Sequence, residues 1–293
     1  MQDWRRVSLD SALALIESVK DCRALFVGDY IVDEYHYVES LGKSPKEHLI
    51  PMRYVSEEVF SGGVAAAANH ARDFCREVFI SPSNKVTRKV RMVDKTYLRK
   101  LAEIHYVEDQ VPMLGPEKGP FDILVVTDFG HGAIDAYEAE KCCGMSFVAV
   151  NAQTNSANIG YNLITKYPRA DYIVIDEPEA RLAAADRDGH IEDVIHKLSH
   201  GRCERFVVTH GTKGAYGYDH GKFCHCAAFT DSVVDTMGAG DAFFAVTAPM
   251  AKTGSMEDLL RIGNAAGAIK CGIVGHREPV TKEALIAYLI AHS

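Results

Sequence analysis

Several things are missing from this chain of 293 residues. No apolar run approaches the roughly 20 residues that a helix needs to cross a bilayer. The opening Met1-Gln2-Asp3-Trp4-Arg5-Arg6 has no apolar core of the kind a secretory leader carries. Neither a membrane nor export is therefore expected, and the expected location is the cytoplasm. Basic residues are the minority, 32 Lys and Arg against 40 Asp and Glu, leaving a formal charge of −8. That balance argues against an extended nucleic-acid surface. It does not argue against a phosphorylated ligand, which a few local amides and cations can hold. There is no internal repeat and no low-complexity segment. The eight cysteines are expected to be reduced and mostly buried. Cys224-His225-Cys226 is the one local hint of a metal site. It lies in an alternating, strand-like stretch, and no second Cys/His pair follows at zinc spacing, so the packing reading is preferred.

What is present reads as one large α/β domain. Hydrophobic residues make up 47% and charged residues 25%, the ordinary balance of a globular enzyme. Residues 8–20 form an amphipathic helical pattern, with Leu9, Leu13, Ile16 and Val19 on one side. Short buried strands are expected at 24–27, 123–127, 147–150, 172–175 and 206–209, with a strand pair at 50–60 and further strands at 89–93 and 97–106. Gly62-Gly63 opens an alanine-rich helix, and another begins near Pro178. Short apolar strands alternating with helices imply a mostly parallel sheet with helices on both faces. Ligands of such sheets gather at the carboxyl ends of the strands. Asp29, Asp128, Asn151, Asp176 and Thr209 all fall at or just beyond those ends.

The most specific feature is Asp235-Thr236-Met237-Gly238-Ala239-Gly240-Asp241, between a β-rich stretch at 229–234 and an apolar helical run at 242–250. A glycine-rich turn leading into a helix places main-chain N–H groups and the positive helix end around an anion. Gly238 and Gly240 remove the Cβ atoms that would keep the backbone away from it. Asp241 then stands at the helix mouth. A carboxylate beside a phosphate is repelled unless it has a task, and the natural task is to accept a proton from an attacking hydroxyl.

These seven residues resemble the signature of the ribokinase-like (PfkB) carbohydrate kinases. The resemblance implies a ribokinase-like fold over residues 1–293, a mostly parallel central sheet with helices on both faces and a small β lid formed by about 39–60 and 89–106. It implies ATP and Mg²⁺ as cofactors, Asp241 as catalytic base, and the amides of Gly238, Ala239 and Gly240 as the anion hole. Thr209, Gly211 and Gly214, in the turn after a buried strand, match the nucleotide side, with Asp235, Thr236 and Asn264. Taken alone that turn is also an ordinary β-turn, and the small residues around Asn264 also suit close helix packing. Asp29, Asp33, Gly62, Gly63, Lys89, Arg91, Asp128 and Asn151 match the sugar side. Asp176 and Glu179 stand where the family organises magnesium through water. Acid residues and Pro178 at that place also suit a helix N-cap.

Much of the chain is similar to the heptose-7-phosphate kinases, through Phe26-Val27-Gly28-Asp29, Ser44-Pro45-Lys46-Glu47, Lys89-Val90-Arg91 and Thr127-Asp128-Phe129-Gly130-His131-Gly132. It departs from them where they read Asp-Pro-Lys and this chain reads Asn151-Ala152-Gln153, at His131 in place of lysine, and at Ala66, with Asn69 a turn later, in place of asparagine. Between the alanine-rich helix and Lys89 the family has an additional strand–helix–strand unit of about 30 residues, and only residues 76–88 are available here. The function implied is phosphoryl transfer from ATP to a sugar or sugar phosphate, with a homodimer through the lid. The alternatives are a kinase-like sensor that binds without turnover, or a module of a multidomain sugar-nucleotide enzyme.

Overall fold

The computed structural model describes residues 9–81, 86–107, 120–145, 147–229 and 233–293. Helix α1 (Leu9–Ser18) is followed by β1 (Arg23–Gly28), β2 (Tyr30–Ser40), β3 (Met52–Gly63), α2 (Val64–Ala71), β4 (Glu77–Ile80), β5 (Thr87–Asp94) and β6 (Lys100–Tyr106). Then come β7 (Ile123–Asp128), α3 (Ala136–Cys142), β8 (Val148–Ala152), β9 (Tyr172–Asp176), α4 (Glu177–Ala184), α5 (Ile191–Ser199) and β10 (Arg205–Thr209). The chain closes with β11 (Ala215–Asp219), β12 (Lys222–Cys226), α6 (Ala239–Thr247), α7 (Met256–Cys271) and α8 (Lys282–Ala291).

Eight strands form one sheet in the order β12-β11-β10-β9-β8-β7-β1-β4. All neighbours from β4 to β10 run parallel, and β11 and β12 continue antiparallel. The strands are apolar because both faces are covered. Alternate residues serve opposite layers: Ala24, Phe26, Ile123 and Val125 join one core, and Leu25, Val27, Leu124 and Val126 join the other. The first core lies under α1, α2, α6, α7 and α8, where Ala67, Ala68 and Ala71 of α2 meet Phe243 and Phe244 of α6. The second lies under α3, α4 and α5. The parallel strand ends reached by Asp128, Asn151, Asp176 and Thr209 therefore share one rim.

A second sheet, order β3-β2-β5-β6, stands beside this rim. Its register fixes which side chains look inward. Asp33 pairs with Phe60 on one side and Lys89 on the other, and Lys89 with His105. Two residues on, Tyr35 pairs with Arg91, and Arg91 with Glu103. Since neighbouring partners share a face, Asp33, Lys89, Arg91 and Glu103 form one polar patch.

Three expectations need revision. The small sheet takes in β2 from Tyr30 onward, which the bounds 39–60 and 89–106 leave out. Residues 50–60 belong to one strand, β3, not to a strand pair. No strand leads into the 235–241 loop among the described residues; Phe229 lies in a bend, and 230–232 fall outside them. The short connection at 76–88 contains an edge strand, β4, paired with β1, and 82–85 lie outside the described residues. Cys224 and Cys226 point into the core from β12, while His225 bonds the Lys213 carbonyl at 2.8 Å. Among the described residues no group of three or more His, Cys, Asp and Glu side chains is arranged to hold a metal. No described helix is long and apolar enough to cross a membrane.

The passage from the small sheet into α2 depends on Gly63. Its φ is +59°, and a Cβ there would lie 2.2 Å from the Asp29 carbonyl oxygen. That same oxygen accepts the Val64 N–H at 2.9 Å. Gly63→Ala is therefore expected to destabilise the fold by upward of about 2 kcal/mol, read as a lower urea midpoint with an unchanged m-value.

Candidate active site

The 235–241 loop ends where α6 begins. Gly238 is the N-cap with φ +75°, a left-handed position suited to glycine, and supplies no capping side chain. A Cβ at Gly238 would lie 3.0 Å from the His276 ring and 3.2 Å from Lys270 Cε. A Cβ at Gly240 would meet open space. The Ala239 N–H donates to the Thr236 carbonyl at 3.3 Å, so the amides of Gly238 and Gly240 are the better placed of the three expected anion donors. Asp241 sits in the first turn of α6 and is buried. Burial raises its pKa, against the fields of His276 and Lys270 and the Gln153 hydrogen bond, which lower it. Gln153 Nε2 donates to Asp241 Oδ1 at 2.5 Å and to Asn151 Oδ1 at 2.8 Å. A buried carboxylate whose pKa is raised by burial, with a neutral amide donating to it, is suited to accept a proton.

Asp235 does not line the neighbouring cavity. Its Oδ1 accepts from Met237 N at 3.1 Å and pairs with Lys100 Nζ at 3.1 Å. Its Oδ2 accepts from Gly275 N at 3.0 Å and Tyr35 Oη at 3.2 Å. It shapes the loop and ties it to β2 and β6, so its expected place against a nucleotide is corrected to a structural one.

A cavity of about 640 Å³ opens on one side of the loop. Thr209, Gly211, Gly214, Thr236 and Asn264 line it as expected, together with Ala239, Gly240 and Asp176. Its floor is apolar, from Phe243, Phe229, Val233 and Ala268. Asn264 spends its amide N–H groups on the Cys226 and Ala227 carbonyls, 2.9 and 3.1 Å away, and so fixes the wall.

The polar patch of the small sheet faces the other side of Asp241. Asp33 is buried and ion-paired to Arg91, with His276 Nε2 3.6 Å from its other oxygen. Burial alone would raise the Asp33 pKa, but His276 and Arg91 outweigh it and hold the group below the usual carboxylate range. Gly62 makes this packing possible, because a Cβ there would lie 2.4 Å from Asp33 Oδ2. Arg91 also pairs with Glu103. Lys89 is buried beside them, and burial, then the Arg91 charge, lowers its pKa. His131 is buried with Nε2 unpaired, and burial, then the Lys89 charge, lowers its pKa to about 4. It is a neutral ring where a lysine would add a third cation.

Three residues expected on the sugar side are occupied by the scaffold. Asp29 is fully buried and accepts the N–H groups of Phe129 and Ala133 at 2.7 and 2.9 Å. Asp128 is fully buried among Tyr167, Lys166, Asn162 and the Gly130 amide. Asn151 donates to the Val174 carbonyl at 2.7 Å and accepts from Gln153. All three are corrected from direct contacts to supports of the rim.

Asp176 and Glu179 form a capping box at the start of α4: Asp176 Oδ1 accepts Glu179 N at 2.7 Å, and Glu179 Oε2 accepts Asp176 N at 2.8 Å. Glu179 Oε1 also accepts Thr154 N at 2.9 Å. Burial, then the Asp176 charge, raises the Glu179 pKa to about 8. Lys270 and His276 are the contributors that sequence reasoning missed, and Gln153, named there as a departure, is the partner of Asp241. A lysine in the last turn of a helix reads as an ordinary C-terminal charge, and nothing local marks where its side chain goes.

A family model described as pfkB family carbohydrate kinase matches residues 135–283. Among curated proteins the chain is similar to the bifunctional protein HldE of Bradyrhizobium diazoefficiens, 23% identical over 314 residues, covering 89% of this chain. The chain spans only 62% of the length of that relative. Among solved structures it resembles ribokinase from Thermotoga maritima, with TM-score 0.67, 20% identity, and coverage of 92% of this chain and 99% of that one. It also resembles Arabidopsis thaliana ribokinase complexed with ribose and ATP, with TM-score 0.66, 18% identity, and coverage of 92% and 99%. At these identities the structural likeness shows the fold, which is that of the ribokinases.

The raised Glu179 pKa sets a pH dependence. Its folded value of about 8 exceeds the ordinary 4.5, so the stability it contributes is full below the unfolded pKa and is lost as pH rises through about 8. Thermal unfolding followed between mildly acidic and alkaline pH is expected to show stability falling by up to about 1 kcal/mol per pH unit. Glu179→Gln is expected to flatten that fall.

Proposed function

The chain belongs to the pfkB family of carbohydrate kinases, and we propose that it transfers the γ-phosphoryl group of ATP to a hydroxyl of a sugar or sugar phosphate, with Asp241 as general base. The observation that carries this reading is the position of Asp241. It lies buried in the first turn of α6, beyond a left-handed glycine. Ala239 and Gly240 of the same turn border a cavity of nucleotide size. The Asp33–Arg91–Lys89 patch lies on the acceptor side.

In this arrangement Asp33 orients the acceptor by taking its hydroxyl hydrogens, while Gly62 lets the α2 entrance approach it. The acceptor oxygen attacks the γ-phosphorus as Asp241 takes its proton, and ADP leaves. The amides of Gly238 and Gly240 and the positive end of α6 stabilise charge on the transferring oxygens. Thr209, Gly211, Gly214 and Thr236 hold the nucleotide against the apolar floor. The acidic pair Asp176 and Glu179 fits Mg²⁺ through water: Asp176 lines the cavity, Glu179 is buried behind it, and loss of solvent raises both pKa values, a cost that a cation relieves. Bound there, the ion would supply neutralising charge to the phosphates. Lys89 and Arg91 favour an acceptor that carries an anionic substituent, such as a heptose phosphate. A binding-only role has no use for a buried base at a helix mouth.

The test is ADP release from ATP and Mg²⁺ with a panel of free sugars and sugar phosphates, heptose 7-phosphate among them. Turnover with one acceptor is expected, and Asp241→Asn is expected to lower kcat by about 10³-fold or more with nucleotide binding retained. Turnover unaffected by Asp241→Asn would remove the base assignment.

The small sheet also supports a homodimer through the lid. Its outward row includes Val59 and Ile104, 60% and 45% exposed, joined across the strands through Glu34 and Val90. Sedimentation velocity is expected to show a dimer, and Val59→Glu a shift to monomer with secondary structure unchanged; a wild-type monomer at all concentrations would exclude the arrangement.

A further inference from the structure

Lys270 is used by neither proton transfer nor substrate binding, yet it has no exposed surface. It lies in the last turn of α7, and its stem passes beneath Gly238, as the 3.2 Å approach of Cε to a Cβ built there shows. The ammonium donates to the carbonyls of Met237 at 2.8 Å, Gly275 at 2.6 Å and Ile273 at 3.4 Å. Among the described residues, all its hydrogen bonds go to main-chain oxygens. Three carbonyl oxygens from two separate loops thus converge on one positive charge. Without that charge their dipoles would repel one another and lack donors.

Converging main-chain carbonyl oxygens are also what a dehydrated alkali cation takes from a protein in place of water. The Lys270 charge also helps hold down the Asp241 pKa and is itself held up by Asp235 and Asp241, while burial lowers its own pKa. Met237 immediately precedes Gly238, so whatever fixes its carbonyl also fixes the start of the anion loop.

We propose that Lys270 is a tethered monovalent cation: its ammonium fills a carbonyl cage that sets the anion loop, so the chain needs no alkali cation from solution to adopt its active geometry. The inference rests on the reading of residues 238–241 as the phosphoryl-binding loop. Lys270 is then a positioning residue, acting through the loop and through the field under it.

The test compares wild type with Lys270→Ala in potassium, ammonium, sodium and tetramethylammonium chloride at equal ionic strength. Both ADP release and thermal unfolding are followed. Wild type is expected to respond equally to all four salts. Lys270→Ala opens the cage, and its turnover in tetramethylammonium is expected to drop about 100-fold, the scale of losing one anion-hole interaction. Potassium or ammonium restores much of that loss and raises the unfolding temperature of the variant alone, whereas tetramethylammonium is too large to enter.

A wild-type enzyme strongly activated by potassium overturns the proposal, and so does a variant equally impaired in every salt. If Lys270→Ala does not fold in tetramethylammonium, its recovery as folded protein in potassium is the supporting result, and failure in every salt overturns the proposal. The unfolding series needs no acceptor. If wild type phosphorylates nothing, the kinase reading fails, while the cation-specific shift of the variant still decides the role of Lys270.

Discussion

The arrangement of this molecule's candidate site depends on how a buried charge, Lys270, and a largely buried one, Asp235, are matched around the 235–241 loop. The Lys270 ammonium is surrounded by carbonyls of residues 237, 273 and 275. The Asp235 carboxylate is surrounded by the amides of Met237 and Gly275 and by Tyr35 and Lys100. A charge taken from water is tolerated only when dipoles of the right sign replace the water. Here those dipoles belong to the loop itself, so the loop cannot change shape without exposing both charges to unfavourable surroundings. The helix N-terminus and Asp241, the proposed base, inherit that rigidity. Asp235 extends it to the small sheet, because Tyr35 and Lys100 come from β2 and β6.

The acceptor side is built by register. Antiparallel pairing of β2 with β3 and parallel pairing with β5 place Asp33 beside both Phe60 and Lys89. A slip by one residue would send Asp33, Lys89 and Arg91 to the opposite face. The apolar cluster of Tyr35, Tyr37, Phe60 and Val93 on this sheet opposes such a slip. Packing and function thus use the same periodicity, with polar and aromatic residues sharing the inward face.

The parts of this arrangement that could be read in the sequence are those written in contiguous residues. The apolar strands, the glycine turn before α6, the capping pattern at Asp176 and Glu179, and the di-glycine before α2 each carry a local signal. Long-range partners have none. Asp29 at the end of a buried strand looks like a ligand, but its fate is decided by two amides a hundred residues away. Asp128 and Asn151 mislead for the same reason. The stretch at 229–234 has β-branched and aromatic residues, yet no strand forms at its described positions, since propensity yields to tertiary context. His276 and Lys270 were invisible because their importance lies in where side chains end, not where they start.

The departures from the heptose-7-phosphate kinases noted in the sequence acquire a common physical sense in the structure. Gln153 stands where a lysine is usual and hydrogen-bonds the base itself, where an ammonium would hold the carboxylate more firmly ionised. His131 stands where a second lysine is usual and is kept neutral by burial and by Lys89. Each change puts a neutral polar side chain where those kinases carry a lysine. The fixed cations that remain, Arg91 locked to Asp33 and Lys270 locked to carbonyls, are held by the scaffold. Lys89 is then the least committed of the buried cations, and the weight of anionic acceptor recognition shifts onto it. Under the proposed function a neutral acceptor would leave that charge buried without a partner, which is the physical reason for proposing a phosphorylated or otherwise anionic sugar.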